Sequence, residues 1–261
     1  MITPKRLSSL ADVTGVALRP TYEPARHRHG IVHLGIGAFH RAHQADYTDA
    51  ALAAAGGDWR IVGASLRSVE LADALNPQNG LYTLIERDAS NLRARLIGSI
   101  ERVIAASRAP EDLMTSLTDR RTRIVAMTVT EKAYGIARST MTVDVRHPAI
   151  AADLRKPTYR FSVLGLLTEA LRRRRIAQVQ PFTVLCCDNL PDNGEFVRHG
   201  VVDFARRGIV RLDRRERFVP VLHGRPHYPG VHRADARGCA APDELYRPGT
   251  GRDRIVHAMG H

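Results

Sequence analysis

Gly30-Ile-Val-His-Leu-Gly-Ile-Gly-Ala-Phe-His-Arg-Ala-His-Gln44 decides the fold. The apolar residues Ile31, Val32, Leu34 and Ile36 run into Gly35-x-Gly37, and a helical pattern follows at once. Strand, glycine turn and helix in that order place backbone N–H groups and a helix N-terminus against a pyrophosphate. Gly37 has no Cβ, so a phosphate can approach its main chain closely. His40 stands where the usual dinucleotide fingerprint carries its third glycine. A lone G-x-G also occurs in ordinary turns, so the flanking chain has to carry the argument.

Working outward, the first helix is expected over Arg41–Ala55, alanine-rich and ended by Gly56-Gly57. Trp59–Ala64 reads as the second strand. Its C-terminal end, Ser65-Leu66-Arg67-Ser68, is where a dinucleotide's adenosine ribose sits, and Glu70 is the first acid there. Arg67 suits a 2′-phosphate or stacking on adenine, so NAD and NADP both stay open. Leu81–Glu86 and Leu92–Val103 read as a hairpin with Asp88-Ala89-Ser90-Asn91 as its turn. A helix is expected over Pro110–Thr118, then a buried strand over Arg123–Val129. That strand delivers Thr130, Glu131 and Lys132 to the carboxyl edge of the sheet, where open α/β sheets bind ligands. His147–Leu154 reads as a helix broken by Pro157, and Phe161–Arg175 as an amphipathic helix. Its terminal Arg172–Arg175 run complements the macrodipole. Phe182–Cys187 is the next buried strand and delivers Asp188-Asn189 to the same edge, with Asn193 capping a helix to about Ala205. The alternation implies a Rossmann-like α/β fold, a mostly parallel sheet with helices on both faces.

Composition bounds the rest. Of 261 residues, 44% are hydrophobic and 25% charged, which suits a globular chain. No apolar run approaches the roughly 20 residues of a membrane helix, and Met1–Asp12 does not read as a signal peptide. Three cysteines without a framework make a reducing cytoplasm the default. The net charge is +12, and residues 206–261 carry +6 of it. Only Lys5, Lys132 and Lys156 of 39 basic residues are lysine, a skew expected of a GC-rich genome rather than of a nucleic-acid surface. His27, His29, His33, His40 and His43 lack the spacing of a metal site and read as surface and supporting histidines.

Together, GIVHLGIGAFHRAHQADYTDA (30–50), DWRIVGASLRS (58–68), LYTLIERD (81–88), TVTEKAY (128–134) and CDNLPDNG (187–194) resemble the polyol-specific long-chain dehydrogenases, the family of mannitol 2-dehydrogenase and fructuronate reductase. The resemblance covers about residues 20–205. It implies zinc-free hydride transfer between NAD and a small polyol or keto sugar, of mannitol–fructose type, with the fructuronate reductase type as an alternative. It assigns Gly35, Ile36, Gly37, Ala38, Phe39, His40 and Arg41 to the cofactor diphosphate; with the positions read above, the expected cofactor-binding set also takes in Ile31, Val32, Arg67, Thr130, Glu131 and Lys132. It makes Asn189 an oxyanion-stabilising amide, which lowers the barrier as charge develops on the reacting oxygen. A monomer is expected, without membrane or nucleic-acid partners.

The resemblance also implies a lysine general base within Lys-x4-Asn-x2-His. No lysine follows Lys156, and Ala137 stands five positions after Lys132, so the motif is absent from this chain. Family members usually carry glycine where Ala133 stands and Pro-Lys where Arg160-Phe161 stands. An NAD-binding fragment without turnover is therefore a further alternative. Codons permitted by Arg217–Gly230, read one nucleotide later, spell Val-Ser-Phe-Pro-Cys-Ser-Met-Val-Asp-Arg-Ile-Thr-Pro, which resembles a family segment. Pro248–Gly260 behaves likewise. The expected organisation is a leader (1–29), a dinucleotide-binding domain (30–205) and a poorly structured basic tail (206–261) read out of frame after a base change near codons 206–209.

Overall fold

The computed structural model describes residues 10, 18–87, 92–155, 160–212 and 255–259. Its centre is a parallel sheet built from β1 (His29–Leu34), β2 (Arg60–Ser65), β5 (Ile100–Ala105), β6 (Ile124–Met127) and β9 (Thr183–Cys186). Their spatial order is β5-β2-β1-β6-β9. The chain steps outward from β1 on one side, returns, and steps outward on the other. The direction reverses between β1 and β6, which makes their carboxyl ends the place for a ligand. All six residues of β1 and of β2 are buried, as expected of strands covered on both faces.

Alternation along the strands separates two cores. Val32, Leu34, Val62, Ala64, Val125 and Met127 pack one face against α4 (Pro110–Thr118), α7 (Val163–Ile176) and α8 (Asn193–Leu212). Ile31, Ile61, Val103 and Ala126 pack the other with α2 (Gln44–Ala55), α3 (Glu70–Leu75) and the hairpin of β3 (Tyr82–Arg87) and β4 (Leu92–Ile97). On this second face β9 is not covered: Leu185 is 44% exposed. Leu185 and Cys187 look across an open groove of 620 Å³ to Phe39, Tyr47 and Trp59.

Several expectations are corrected. The helix expected over Arg41–Ala55 is two, α1 (Ala38–Ala42) and α2, because His43 breaks the spiral with φ −123° and ψ −79°. The strand expected over Leu92–Val103 is divided at Gly98-Ser99, so β4 stays in the hairpin and β5 becomes the edge of the parallel sheet. The division is fixed from outside the strand: Asp49 accepts from the Gly98 N–H at 2.8 Å, and the Ser99 hydroxyl donates to the Ala45 carbonyl at 2.6 Å. Asn193 is the first residue of α8, and its amide N–H₂ turns back to the carbonyls of Cys186 and Asp188 instead of capping the helix. The helix expected to end near Ala205 continues to Leu212, and β10 (Ile255–Met259) pairs antiparallel with β3. The turn at 88–91, Pro157 and most of the tail lie outside the described residues.

The arginine run at the end of α7 is not a basic surface. Arg172 and Arg173 bind Glu169, and Arg173 also binds Glu111. Arg174 is buried and donates to the carbonyls of Leu117, Asp119, Thr122 and Gln180 at 2.7–3.0 Å. Its charge is offset by four backbone dipoles, which lets it tie α7 to the loops at the amino edge of the sheet. The sheet edge that carries the ligand crevice is the opposite one. No helix among the described residues is long and apolar enough to cross a membrane.

Candidate functional site

The crevice lies where β1 and β6 end side by side. Gly35 follows β1 with φ +95°, a region that favours glycine. A Cβ built on it would stand 2.3 Å from the Thr128 carbonyl oxygen. Its N–H donates to the Ala64 carbonyl of β2 at 2.9 Å, so the turn is fastened to the sheet. Over Gly37 the space is open, with Gly35 O at 3.9 Å the nearest atom to a built Cβ. Gly37 is the N-cap of α1 and no side chain caps that end. The first N–H groups of α1 have no intrahelical acceptor. Ala38 and Phe39 are exposed there.

Beneath the turn the side chains are closed in. His33 and His40 are fully buried and stack with ring centroids 3.6 Å apart, so these two are supporting and not surface histidines. His33 Nε2 lies 2.9 Å from Thr128 Oγ1, and the Thr128 hydroxyl donates to the Gly35 carbonyl at 2.8 Å. His40 Nδ1 lies 3.2 Å from Gln44 Oε1. Burial pushes the His33 imidazole well below its usual pKa, and the neighbouring His40 adds to this. Burial pushes His40 down to about 4. Both rings are therefore neutral at physiological pH. Arg41 is buried too, donates to the Ile36 carbonyl at 3.2 Å, and its own carbonyl takes the Tyr82 hydroxyl at 2.6 Å. Desolvation lowers the Arg41 pKa without removing its charge.

The remaining expected residues fall into three places. Ile31 borders the apolar groove, while Val32 is wholly inside the core, where its side chain packs the sheet. Arg67 is exposed at the end of β2, one residue beyond Leu66, which packs on the core. Thr130 is the N-cap of the short helix α5 (Glu131–Tyr134), and Glu131 and Lys132 stand exposed on it. Asn189 is exposed after β9.

The sequence reading missed what holds α5 and Asn189 together. Tyr134, at the end of α5, donates its hydroxyl to Asp188, the neighbour of Asn189. Asn193 donates to the other Asp188 oxygen at 2.8 Å. The Tyr134 hydroxyl is pushed up by burial and by the Asp188 carboxylate, so it stays a donor. Asp188 stands in the C-D-N string, and its position beside Asn189 was the available signal. His33 was equally available as a polar residue in an otherwise apolar strand. Of the five clustered histidines, His29 lies near Glu101 and Asp119 at the far end of β1. Among the described residues no three His, Cys, Asp or Glu side chains converge to hold a metal ion.

Comparison with known proteins gives the same picture. A model of the mannitol dehydrogenase Rossmann domain matches residues 29–217, past the junction expected at 206–209. A mannitol 2-dehydrogenase of Pyrenophora tritici-repentis is 42% identical over 205 residues, covering 77% of this chain and 36% of the relative. A polyol:NADP oxidoreductase of Gluconobacter oxydans is 39% identical, covering 79% of this chain and 43% of the relative. The solved ternary complex of Pseudomonas fluorescens mannitol 2-dehydrogenase with NAD and D-mannitol superposes with a TM-score of 0.74 at 37% identity. That superposition covers 80% of this chain and 44% of the other. The chain thus spans less than half the length of these relatives.

Proposed function

The chain belongs to the mannitol dehydrogenase family of oxidoreductases, and from that membership we propose that it binds NAD across the carboxyl edge of its sheet for hydride transfer from a polyol or to a keto sugar. The observation that carries this is the Gly35–Gly37 turn at the point where the strand order reverses. Thr128 fills the space a Cβ would need at Gly35, while the space over Gly37 is open, so the cradle fits a diphosphate.

In this reading main-chain N–H groups at Ala38 and Phe39 hold the diphosphate, with Gly37 admitting it to the backbone. Arg41 lies buried behind the turn and adds positive potential on that side. The end of β2, with Ser65 and Arg67, receives the adenosine ribose. The nicotinamide end extends toward Thr130, Glu131, Lys132 and Asn189. Bound NAD supplies the hydride acceptor. Asn189 aims an amide N–H₂ at the substrate oxygen and stabilises the charge that develops on it. Tyr134 and Asp188 fix the loop from which Asn189 projects.

The substrate is a small polyol or keto sugar, mannitol–fructose type before mannonate–fructuronate type. Proton removal needs a base, and the Lys-x4-Asn-x2-His arrangement associated with the family is absent from these 261 residues. We therefore propose cofactor binding without efficient turnover for this polypeptide, with an out-of-frame tail that begins beyond residue 217, where the family match ends. Titration of the purified chain with NADH, followed by nicotinamide fluorescence, tests the first part. Saturable binding at micromolar to low millimolar cofactor is expected, and none at several millimolar overturns it. Mannitol-dependent NADH formation by the same sample would overturn the absence of turnover. Resequencing the gene, with mass spectrometry of the tail, decides the reading frame.

A further inference from the structure

We propose that His33 and Thr128 are positioning residues for the cofactor turn: a relay from His33 Nε2–H through the Thr128 hydroxyl to the Gly35 carbonyl holds that carbonyl turned inward, away from the crevice, where the chain enters α1. The inference rests on the cofactor-binding reading above and adds to it the device that shapes the cradle.

The direction of the relay follows from counting hydrogens. A threonine hydroxyl has one hydrogen, and that of Thr128 goes to Gly35 O at 2.8 Å. The contact of 2.9 Å between His33 Nε2 and Thr128 Oγ1 therefore needs the hydrogen of the imidazole. His33 is thus the Nε2–H tautomer. His40 gives its Nδ1–H to Gln44 Oε1 by the same argument, since a carbonyl oxygen only accepts. The two buried nitrogens without a hydrogen-bond partner, His33 Nδ1 and His40 Nε2, are then lone pairs, which are cheaper to bury than orphaned N–H groups. The stacked His40 ring fixes the plane of His33.

The relay ends on a carbonyl that matters. Gly35 O also takes the Gly37 N–H at 2.7 Å, and Ile36 O takes the Arg41 guanidinium at 3.2 Å. Both turn carbonyls thus point away from the crevice. A carbonyl rotated outward would present a negative dipole to a diphosphate and break the Gly37 N–H bond to Gly35 O. Thr128 also supplies the backbone oxygen that crowds Gly35 from the other side. One residue at the end of β6 thereby sets the turn after β1 from both its side chain and its main chain. Ordinary packing asks only that position 128 be filled, which valine does as well as threonine. The relay asks for the hydroxyl and for a donor at His33.

The test uses Thr128→Val and Thr128→Ser, with His33→Phe and His33→Gln as the second pair. In the cofactor-free chain, amide hydrogen exchange reads the Gly37 N–H directly. Its protection should fall about tenfold in Thr128→Val, which leaves the His33 N–H without an acceptor, and should also fall in His33→Phe, which leaves the Thr128 hydroxyl without the donor that holds it on Gly35 O. Thr128→Ser and His33→Gln restore the hydrogen bonds and should keep protection within about threefold. The Kd for NADH should follow the same split. Unchanged Gly37 protection in Thr128→Val overturns the inference whether or not the chain binds cofactor. Equal losses in the valine and serine variants also overturn it, because that is the signature of packing. A wild-type chain that shows the exchange split but binds no NADH sinks the cofactor reading and leaves the relay standing.

Discussion

The two strand ends that border the crevice are built differently. The end of β1 is closed: His33 and His40 are wholly buried, Arg41 nearly so, and both turn carbonyls have donors. The ends of β6 and β9 are open: Thr130, Glu131, Lys132 and Asn189 are all exposed, and what order they have comes from Tyr134 and Asp188 behind them. A binding turn has to be rigid before its ligand arrives, since ordering it afterwards would cost affinity. Groups that act on a substrate have to remain reachable. The closed end thus has its turn held by buried partners, while the open end presents its side chains to solvent.

The largest effect expected from breaking this contrast comes at Gly35. Gly35→Ala puts a Cβ 2.3 Å from the Thr128 carbonyl at φ +95°. The turn must move, and a displacement of about 1 Å at a binding site can cost on the order of 100-fold. NADH affinity should fall by at least that factor, while the circular dichroism of the sheet and helices is retained. Wild-type affinity in Gly35→Ala would show that the turn is not where the diphosphate sits.

Much of the closed end was legible in the sequence. Gly35-x-Gly37 after an apolar run defines a strand and a turn, because those residue types have few other places to go. The parallel sheet was legible for the same reason: each of its strands is a short apolar run, although β9 is covered on one face only. What was not legible is pairing at a distance. Nothing in Leu92–Val103 shows that the strand is cut at Gly98, because the cut is imposed by Asp49 and Ala45, far away in sequence. Nothing in the histidine cluster shows that His33 and His40 stack while His29 lies at the other end of β1. Sequence spacing places residues on faces, but burial depends on which helix covers the face. The open end was located correctly as a strand terminus, and its supporting pair was invisible because Tyr134 and Asp188 meet only in the fold.

The next effect sharpens the contrast through pH. Burial lowers the His40 pKa from 6.5 to about 4, and that of His33 moves the same way. A folded-state pKa below the unfolded one means that protons favour unfolding. The stability held by His40 is complete above about pH 6.5, declines as pH falls toward 4, and changes no further below it. At about 1.4 kcal/mol per pH unit, His40 alone corresponds to roughly 3 kcal/mol. Asp49 and Asp153, whose pKa values burial raises, act in the opposite direction at the acid end. Urea unfolding of wild type and His40→Gln at pH 7 and pH 4.5 separates them. The wild type should lose markedly more stability than the variant over this interval. Parallel losses would mean that the closed end is not closed to protons.

At the open end the same kind of change should be smaller and should leave the cofactor alone. Tyr134→Phe removes the donor to Asp188 but leaves Asn193 in place. Loss of one hydrogen bond to a carboxylate is expected to cost about 1–2 kcal/mol of unfolding free energy. The Kd for NADH should stay within about twofold, because the turn after β1 shares no partner with Tyr134. A Tyr134→Phe variant that lost cofactor affinity as Gly35→Ala does would erase the distinction between the two ends.

The smallest effect belongs to Arg67, which sits at neither end. It follows β2 in the open, next to Ser65, and the first acid after the strand is Glu70. An acid at the strand end would repel a 2′-phosphate, and this chain lacks one there. NADPH is therefore expected to bind within about tenfold of NADH, since one exposed charge contributes only about 1 kcal/mol. Arg67→Glu should weaken NADPH by about fivefold or somewhat more and NADH by less than about twofold. Competitive titration of both cofactors against wild type and variant measures the ratio directly. If Arg67→Glu weakens the two equally, the side chain stacks on the adenine, which both cofactors share. If it weakens neither, the adenosine lies away from the end of β2, and the crevice would have to be entered from the β6 side alone.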